Sequence, residues 1–446
     1  MQIRFPGITE DDLQYTIDCL EGCRQEHART YGFRYPYFAP GGAYGAQWWQ
    51  LDSSLALCGC KWIDRAFCER ALLNFIESQK EDGRICLWGA DVLPAVVAGG
   101  NRLRQTEGAS SLPKLFDAAY QILRGTTDRA LKMKTYTMLK KYLDWWFSAR
   151  QDPETGLITA VFEETFIPYL GCAGEYAPVD TNVEVYVGCN DTALLAEELG
   201  YASDAAALRQ RQAALGESIN HFLWNEEMGA YYPYYVKERR LGDCLMASAF
   251  YPLRMGIAPA DRRQRLLALM RSQAHFGWDT LPLTSVSKLD AAFTATTGQY
   301  QGNASWSGSV WTLINEMAVR GLCDCGEHAL AAELAWKTLR AFRGNCAEFL
   351  HPFDGSGHGV KRYGWTASQY LELLIEVIFG IDYNAAERCV TITPRIPAEL
   401  AAATLALHGL QLEKGISLDI TVEGGRVSAA VSDPGVKCIL HGNSAG

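Results

Sequence analysis

The sequence predicts a mainly α protein: an (α/α)6 toroid of helical hairpins completed by a small C-terminal antiparallel β-module. Three observations lead there. Helical patterns follow one another almost without interruption from residue 9 to about 382. Their connections alternate between short turns and long loops rich in glycine and aromatic residues. After residue 385 the pattern changes to period-two alternation with glycine turns. In a closed ring of hairpins the short turns gather at one end and the long loops build a cleft at the other. An open helical solenoid would show a fixed repeat period, and none is visible.

The first helix is signalled by Thr9, an N-cap residue followed by acids in TEDD, and runs through Ile17 and Leu20. The second is expected over 53–80, closed by EDG. Further helices are expected over 112–124, 128–150, 181–199, 203–223, 242–255, 260–273, 306–320, 326–342 and 366–380. Turn signals such as DPETG at 152–156, GYASD at 200–204 and RGN at 343–345 punctuate them. Strand-like material is confined to TAVFEETF (159–166) and GAYYPYY (229–235). CVTITPRIP, LALHGL, ISLDITVEGG, RVSAAVSD and VKCILHG then form the β-module. The expected division is 1–384 for the helical domain and 385–446 for the module packed on it.

Several function classes are excluded or disfavoured by composition. A net charge of −10 over 446 residues argues against nucleic acid or an anionic membrane surface as the partner. No apolar run approaches membrane-spanning length. The N-terminus, MQIRFPGITEDDLQ, lacks the apolar core of a signal peptide, so a cytoplasmic protein is expected. The 14 cysteines include close pairs (Cys19/Cys23, Cys58/Cys60, Cys323/Cys325) but no CxxC and no histidine at metal-site spacing. They read as reduced, buried apolar side chains. His351 and His358 lack a convincing third ligand, and GSGHG lacks the context of a phosphate loop, so no metal or cofactor is expected.

The aromatic residues are more informative. QWWQ (47–50), DWWF (144–147), YYPYY (231–235) and SWSGSVW (305–311) gather rings beside polar residues. That mixture suits a carbohydrate, whose C–H faces stack on rings while its hydroxyls need hydrogen-bond partners. Cleaving a glycosidic bond needs two carboxyl groups, one to protonate the leaving oxygen and one to activate water or attack directly. Acids in loops beside tryptophan and glycine are therefore the candidates. They are Asp52 in QWWQLDSS, Glu163 and Glu164 in AVFEETFIP, Asp180 in APVDTN, and Glu348 in CAEFLHPFDGSGHG. Helix capping is the competing use for Asp52 and Asp180, and core packing for Trp306 and Trp311.

LDSS followed by SQKEDG, then SWSGSVWTLINEMAVRGL and E-x-x-x-P-x-x-G-x-G…YGWTASQYL, resemble the glycosidases of family 63 and their trehalase-like and mannosylglycerate-hydrolase-like relatives. The resemblance covers about residues 40–382. It implies that Glu348 is the general base of an inverting mechanism and that Asp52 holds substrate hydroxyls beside Trp48 and Trp49. It implies that Trp306, Gly308 and Trp311 line the same pocket, joined by Trp365 of the GW pair. The chain departs from the family at the acid: VDTN is present at 179–182, but VFEETFIPY replaces E-S-G-x-D-N-S-P. Position favours Glu164, with Glu163 second and Glu175 or Asp180 behind. In an extended segment the two neighbouring glutamates face opposite ways, so one should enter the cleft. The reading is an exo-acting, inverting hydrolase of a small α-linked sugar, with carboxyl groups about 6.5–9.5 Å apart. Its rivals are a sugar epimerase on the same toroid, a lyase or unsaturated-uronide hydrolase using KRYG (361–364), and a non-catalytic carbohydrate-binding protein.

Overall fold

The computed structural model describes residues 1–26, 33–89, 108–161, 163–166, 176–295 and 304–443, and among these the chain is mainly helical. The helices are α1 (Glu10–Glu21), α2 (Gln50–Cys60), α3 (Arg65–Ser78), α4 (Leu115–Arg124), α5 (Arg129–Ala149) and α6 (Val179–Leu199). They continue with α7 (Ala202–Phe222), α8 (Ala260–Met270), α9 (Gln273–Phe276), α10 (Thr312–Asp324), α11 (His328–Phe342) and α12 (Gly364–Glu372). A 3-10 stretch covers Ala247–Gly256, and α12 runs on as a π-helix over Leu373–Ile378.

Burial divides these helices into two sets. Every residue of α2 and of α12 is buried, whereas α7 buries only Ala205, Leu208, Gln212, Leu215 and Ile219. A helix buried all round lies inside its neighbours; one with a single apolar stripe lies outside. The contacts agree. α2 packs on α4, α4 on α6, α6 on the 3-10 stretch, that stretch on α10, α10 on α12, and α12 back on α2. α1, α5, α7, α8 and α11 pack against members of this set from outside.

Local signals set the boundaries. Thr9 and Asp12 form a reciprocal capping box at the start of α1, as TEDD predicts. The single helix expected over 53–80 is instead two. The chain turns over 61–64, and Asp64 caps α3 by accepting the Phe67 N–H at 3.0 Å. The segment expected to be helical over 242–255 is the 3-10 stretch, with Pro252 inside it and Met255 at φ 51°. Proline removes a donor and its ring opposes an α-helical ladder. The described residues of TAVFEETF (159–161 and 163–166) form no strand: Ala160 makes one bridge to Tyr176, and residues from Glu163 onward turn.

Thr404–Glu413 pairs on one side with Ile416–Glu423 and on the other with Gln2–Arg4, a strand that the sequence pattern does not announce. Ile381–Asn384, Cys389–Ile392 and Lys437–Leu440 form a second sheet, whose Cys389–Ile392/Lys437–Leu440 pair is parallel rather than antiparallel. The expected boundary at 384/385 falls inside the hairpin joining the first two of these strands. Among the described residues no helix is long and apolar enough to cross a membrane.

Charged side chains also bridge the inner helices. Lys114 meets Asp117 and Glu184 at 3.2 and 3.4 Å. Arg320 reaches Glu316, Glu372 and Glu376 at 2.7, 3.1 and 2.8 Å, and Lys61 reaches Glu376 at 2.5 Å. Buried pairs of this kind define which helix faces which more than they add net stability.

Candidate active site

Several sequence candidates lie at the N-terminal ends of the inner helices. Asp52 is the third residue of α2 and Asp180 the second of α6; Trp311 and Tyr363 are the N-cap residues of α10 and α12. Helix N-termini present unpaired N–H groups and a partial positive charge, which favours carboxylates there.

Glu348 stands in the loop between α11 and α12, and the loop folds back on it. Its N–H donates to the Val360 carbonyl at 2.8 Å, and the Val360 N–H returns a bond to Oε2 at 3.0 Å. The Tyr44 hydroxyl donates to Oε1 at 3.4 Å. Burial raises this carboxyl from the ordinary range to about 7, against the lowering effect of those donors. Gly359 adopts φ +70°, and a Cβ there would stand 2.5 Å from Glu348 Oε2. The space its missing side chain leaves belongs to Glu348 itself.

Asp52 is not an N-cap, since α2 begins at Gln50. Its Oδ1 accepts the Tyr363 hydroxyl at 2.7 Å. Burial raises its pKa to about 7, and both Glu348 and Glu163 push in the same direction as like charges. Asp52 therefore feels two of the candidate carboxylates at once, although Glu163 and Glu348 are 185 residues apart in the chain.

The structure separates the two neighbouring glutamates. Glu164 is fully buried and forms a two-pronged ion pair with Arg150: Nε to Oε2 at 2.7 Å and Nη2 to Oε1 at 2.8 Å. The N–H groups of Ser110 and Val161 occupy the same oxygens at 2.8 and 3.0 Å. A carboxylate so enclosed has no oxygen left to offer a glycosidic bond, which corrects the preference for Glu164 as acid. Glu163 is half-buried, and its backbone has the left-handed φ of 66°.

Asp180 also differs from expectation. Buried, it accepts the Thr165 hydroxyl at 2.9 Å, the Phe166 N–H at 2.7 Å and the Thr181 N–H at 2.9 Å. Its carboxylate braces the segment after Glu164 instead of facing a substrate.

The aromatic candidates fall into two layers. Trp306 and Trp49 keep partial exposure. Trp311 and Trp365 are buried and act as backing. Trp311 stacks on Trp306 with centroids 4.0 Å apart and planes within 6°, and Phe166 meets Trp306 edge-on at 4.4 Å. Tyr363 meets Trp365 edge-on at 4.8 Å, and Tyr44 meets Trp49 edge-on at 6.2 Å. Gly308 is buried where a Cβ would strike the Thr294 carbonyl at 2.3 Å, so it too shapes the wall through packing. Glu175 lies outside the described residues.

Tyr44, Tyr363 and Arg150 were missed by sequence reasoning as site residues. Only Tyr363 carried a signal, its place in YGW next to Trp365. Tyr44 reaches Glu348 across 304 residues of chain, and no spacing rule exposes such a pair.

The family model of the mannosylglycerate hydrolase MGH1-like glycoside hydrolase domain matches residues 45–165 and 168–366. A mannosylglycerate hydrolase of Rubrobacter radiotolerans is 30% identical over 190 residues, 42% of this chain and 41% of that protein. A periplasmic trehalase of Salmonella newport is 24% identical over 243 residues, covering 52% of this chain and 38% of the relative. Both matches thus span about two fifths of those relatives. In fold, the GH63 mannosylglycerate hydrolase of Thermus thermophilus superposes with TM-score 0.65 at 18% identity, over 80% of this chain and 98% of that one. The neutral trehalase of Saccharomyces cerevisiae gives 0.59 at 17% identity, over 82% and 79%.

These matches, with buried carboxyl groups gathered beside tryptophan and tyrosine, define a glycoside hydrolase. The chain belongs to the mannosylglycerate hydrolase MGH1-like glycoside hydrolases, of the GH63 and trehalase-like family.

Proposed function

We propose that this chain is an exo-acting, inverting hydrolase of a small α-linked sugar, with Glu348 as general base and Glu163 as general acid. The observation that carries the reading is that Glu348 and Glu163 both act as like charges on the buried carboxyl of Asp52. The inner helices, each packed on the next and the last on the first, support a closed (α/α)6 toroid whose long loops form the cleft. The strands over 381–440 would be its β-module. A small neutral glycoside is the proposed substrate, and the cytoplasm, where 14 cysteines stay reduced, the proposed compartment.

In this mechanism Glu163 gives its proton to the glycosidic oxygen as the bond to the anomeric carbon breaks. Glu348 takes a proton from the water that attacks the opposite face of the sugar. Tyr44 and the Val360 N–H fix the base. Asp52, oriented by Tyr363, binds sugar hydroxyls, and Trp306 and Trp49 present ring faces. Incubation with a panel of α-glucosides and α-mannosides, followed by proton NMR of the first product, tests this. β-anomer appearing first supports inversion; α-anomer, or no hydrolysis of any member, sinks the reading.

The pKa of the base gives a direction in pH. Glu348 acts only when ionised, and burial raises its pKa to about 7. Hydrolysis should therefore rise with pH through about 7, where an ordinary carboxylate would be active from about pH 5. Between the unfolded value near 4.5 and the folded value near 7 the native state binds the extra proton. This group's contribution to stability accordingly falls as pH rises through that window. A kcat/KM profile flat from pH 5 to 8 would contradict the assignment.

A further inference from the structure

We propose that the buried Arg150–Glu164 pair is a positioning device for Glu163, an inference that rests on the reading of Glu163 as acid. Glu163 has φ 66°, a conformation that non-glycine residues adopt at a cost. Such strain persists only where the surroundings over-determine it, and it collects at functional sites.

Here the surroundings hold the turn on both sides of Glu163. The Glu163 carbonyl accepts the Leu112 N–H at 3.0 Å, and the Glu164 N–H donates to the Val161 carbonyl at 3.1 Å. The Glu164 carbonyl accepts the Thr181 hydroxyl at 2.6 Å. The Glu164 carboxylate then binds the Val161 N–H and Arg150 at once, joining the start of the turn to the end of α5. Arg150 is itself held: Nη2 donates to the Gly108 carbonyl at 3.0 Å, and its guanidinium lies 4.9 Å over the Trp145 ring. Asp180 fixes the next two residues. The backbone of Glu163 cannot shift without breaking bonds made by its carbonyl and by Glu164.

Stability alone does not account for this pair, because apolar residues of similar volume usually serve a buried site as well. Geometry does account for it. A planar guanidinium binding both oxygens sets the angle of the Glu164 side chain as well as its distance, which a lysine's point charge would not. The glutamate beside the acid is thus an anchor, and Arg150 acts on catalysis through it.

The test uses two probes carrying the same sugar, a phenyl α-glycoside and an α-glycosyl fluoride, with glucose or mannose according to which the wild type hydrolyses. Phenolate departure needs a proton from the acid, and fluoride departure needs it far less. Arg150→Lys should fold with Tm close to wild type; the apolar pair Arg150→Met/Glu164→Leu, which leaves the Ser110 and Val161 N–H groups without their carboxylate acceptor, should fold with a lowered Tm. Both should lose about 10²-fold in kcat on the phenyl glycoside, with KM and turnover of the fluoride nearly unchanged. In a Glu163→Gln background, Arg150→Lys should cost nothing further. Equal losses on both probes, or full activity of the apolar pair, would overturn the positioning role while leaving Glu163 as acid. If Glu163→Gln itself shows no loss confined to the phenyl probe, the acid assignment falls and the positioning role with it.

Discussion

Glu348→Gln is expected to lower kcat on the order of 10³-fold or more while leaving sugar binding nearly intact. Glutamine has the same shape; with its amide oxygen accepting the Val360 N–H, its NH₂ donates to the Tyr44 hydroxyl oxygen, so the loop that folds over residue 348 should stay as it is. What disappears is the ability to take a proton from water. Because Gly359 removes the Cβ that would press on Oε2, the site has room for this side chain and little else. The measurement is kcat and KM on the hydrolysed glycoside, together with sugar binding by calorimetry. An unchanged kcat would remove Glu348 from the chemistry; loss of binding and rate together would make it a substrate ligand. Like-charge relief should also lower the pKa of Asp52, because Glu348 is one of the groups that raise it.

Glu163→Gln should cost on the order of 10²–10⁴-fold on glycosides with poor leaving groups and far less on activated ones. This dependence on leaving group separates an acid from a residue that merely binds. Glu164→Gln should behave differently. It leaves Arg150 facing a neutral amide at a buried position, and one amide NH₂ then confronts an N–H donor of Ser110 or Val161. The expected result is a clear drop in Tm, on the order of 1–3 kcal/mol of stability, with some loss of rate through Glu163. If Glu164→Gln instead kept its Tm and lost all activity on poor leaving groups, the roles of the two neighbours would be reversed.

The helical succession was legible because its signals are local. The Thr9 capping box, the DPETG and GYASD turns, and the apolar periodicity each depend on residues within one or two helical turns. Two errors have equally local causes: Asp64 caps a second helix inside what reads as one, and Pro252 turns an expected α-helix into a 3-10 stretch. The strand Gln2–Arg4 escaped notice because its partner, Thr404–Glu413, lies some 400 residues away, with Ile3 opposite Leu407.

At the site, sequence alone determined which residue types were available and which loops carried them. Glu348, Asp52 and the FEETF segment were marked by composition and by the order of motifs. Tertiary structure decided between neighbours. Glu163 and Glu164 have the same chemistry and adjacent positions, and no pattern in FEETF distinguishes them. They part only because Arg150, Ser110 and Val161 converge on one of the two, while the other, with a left-handed backbone, stays half-buried. Likewise Trp306 and Trp311 are equivalent as letters, yet stacking puts one at the surface and buries the other. Residue identity sets what a side chain is able to do; burial and the partners that distant segments supply set which copy of it is placed to do so.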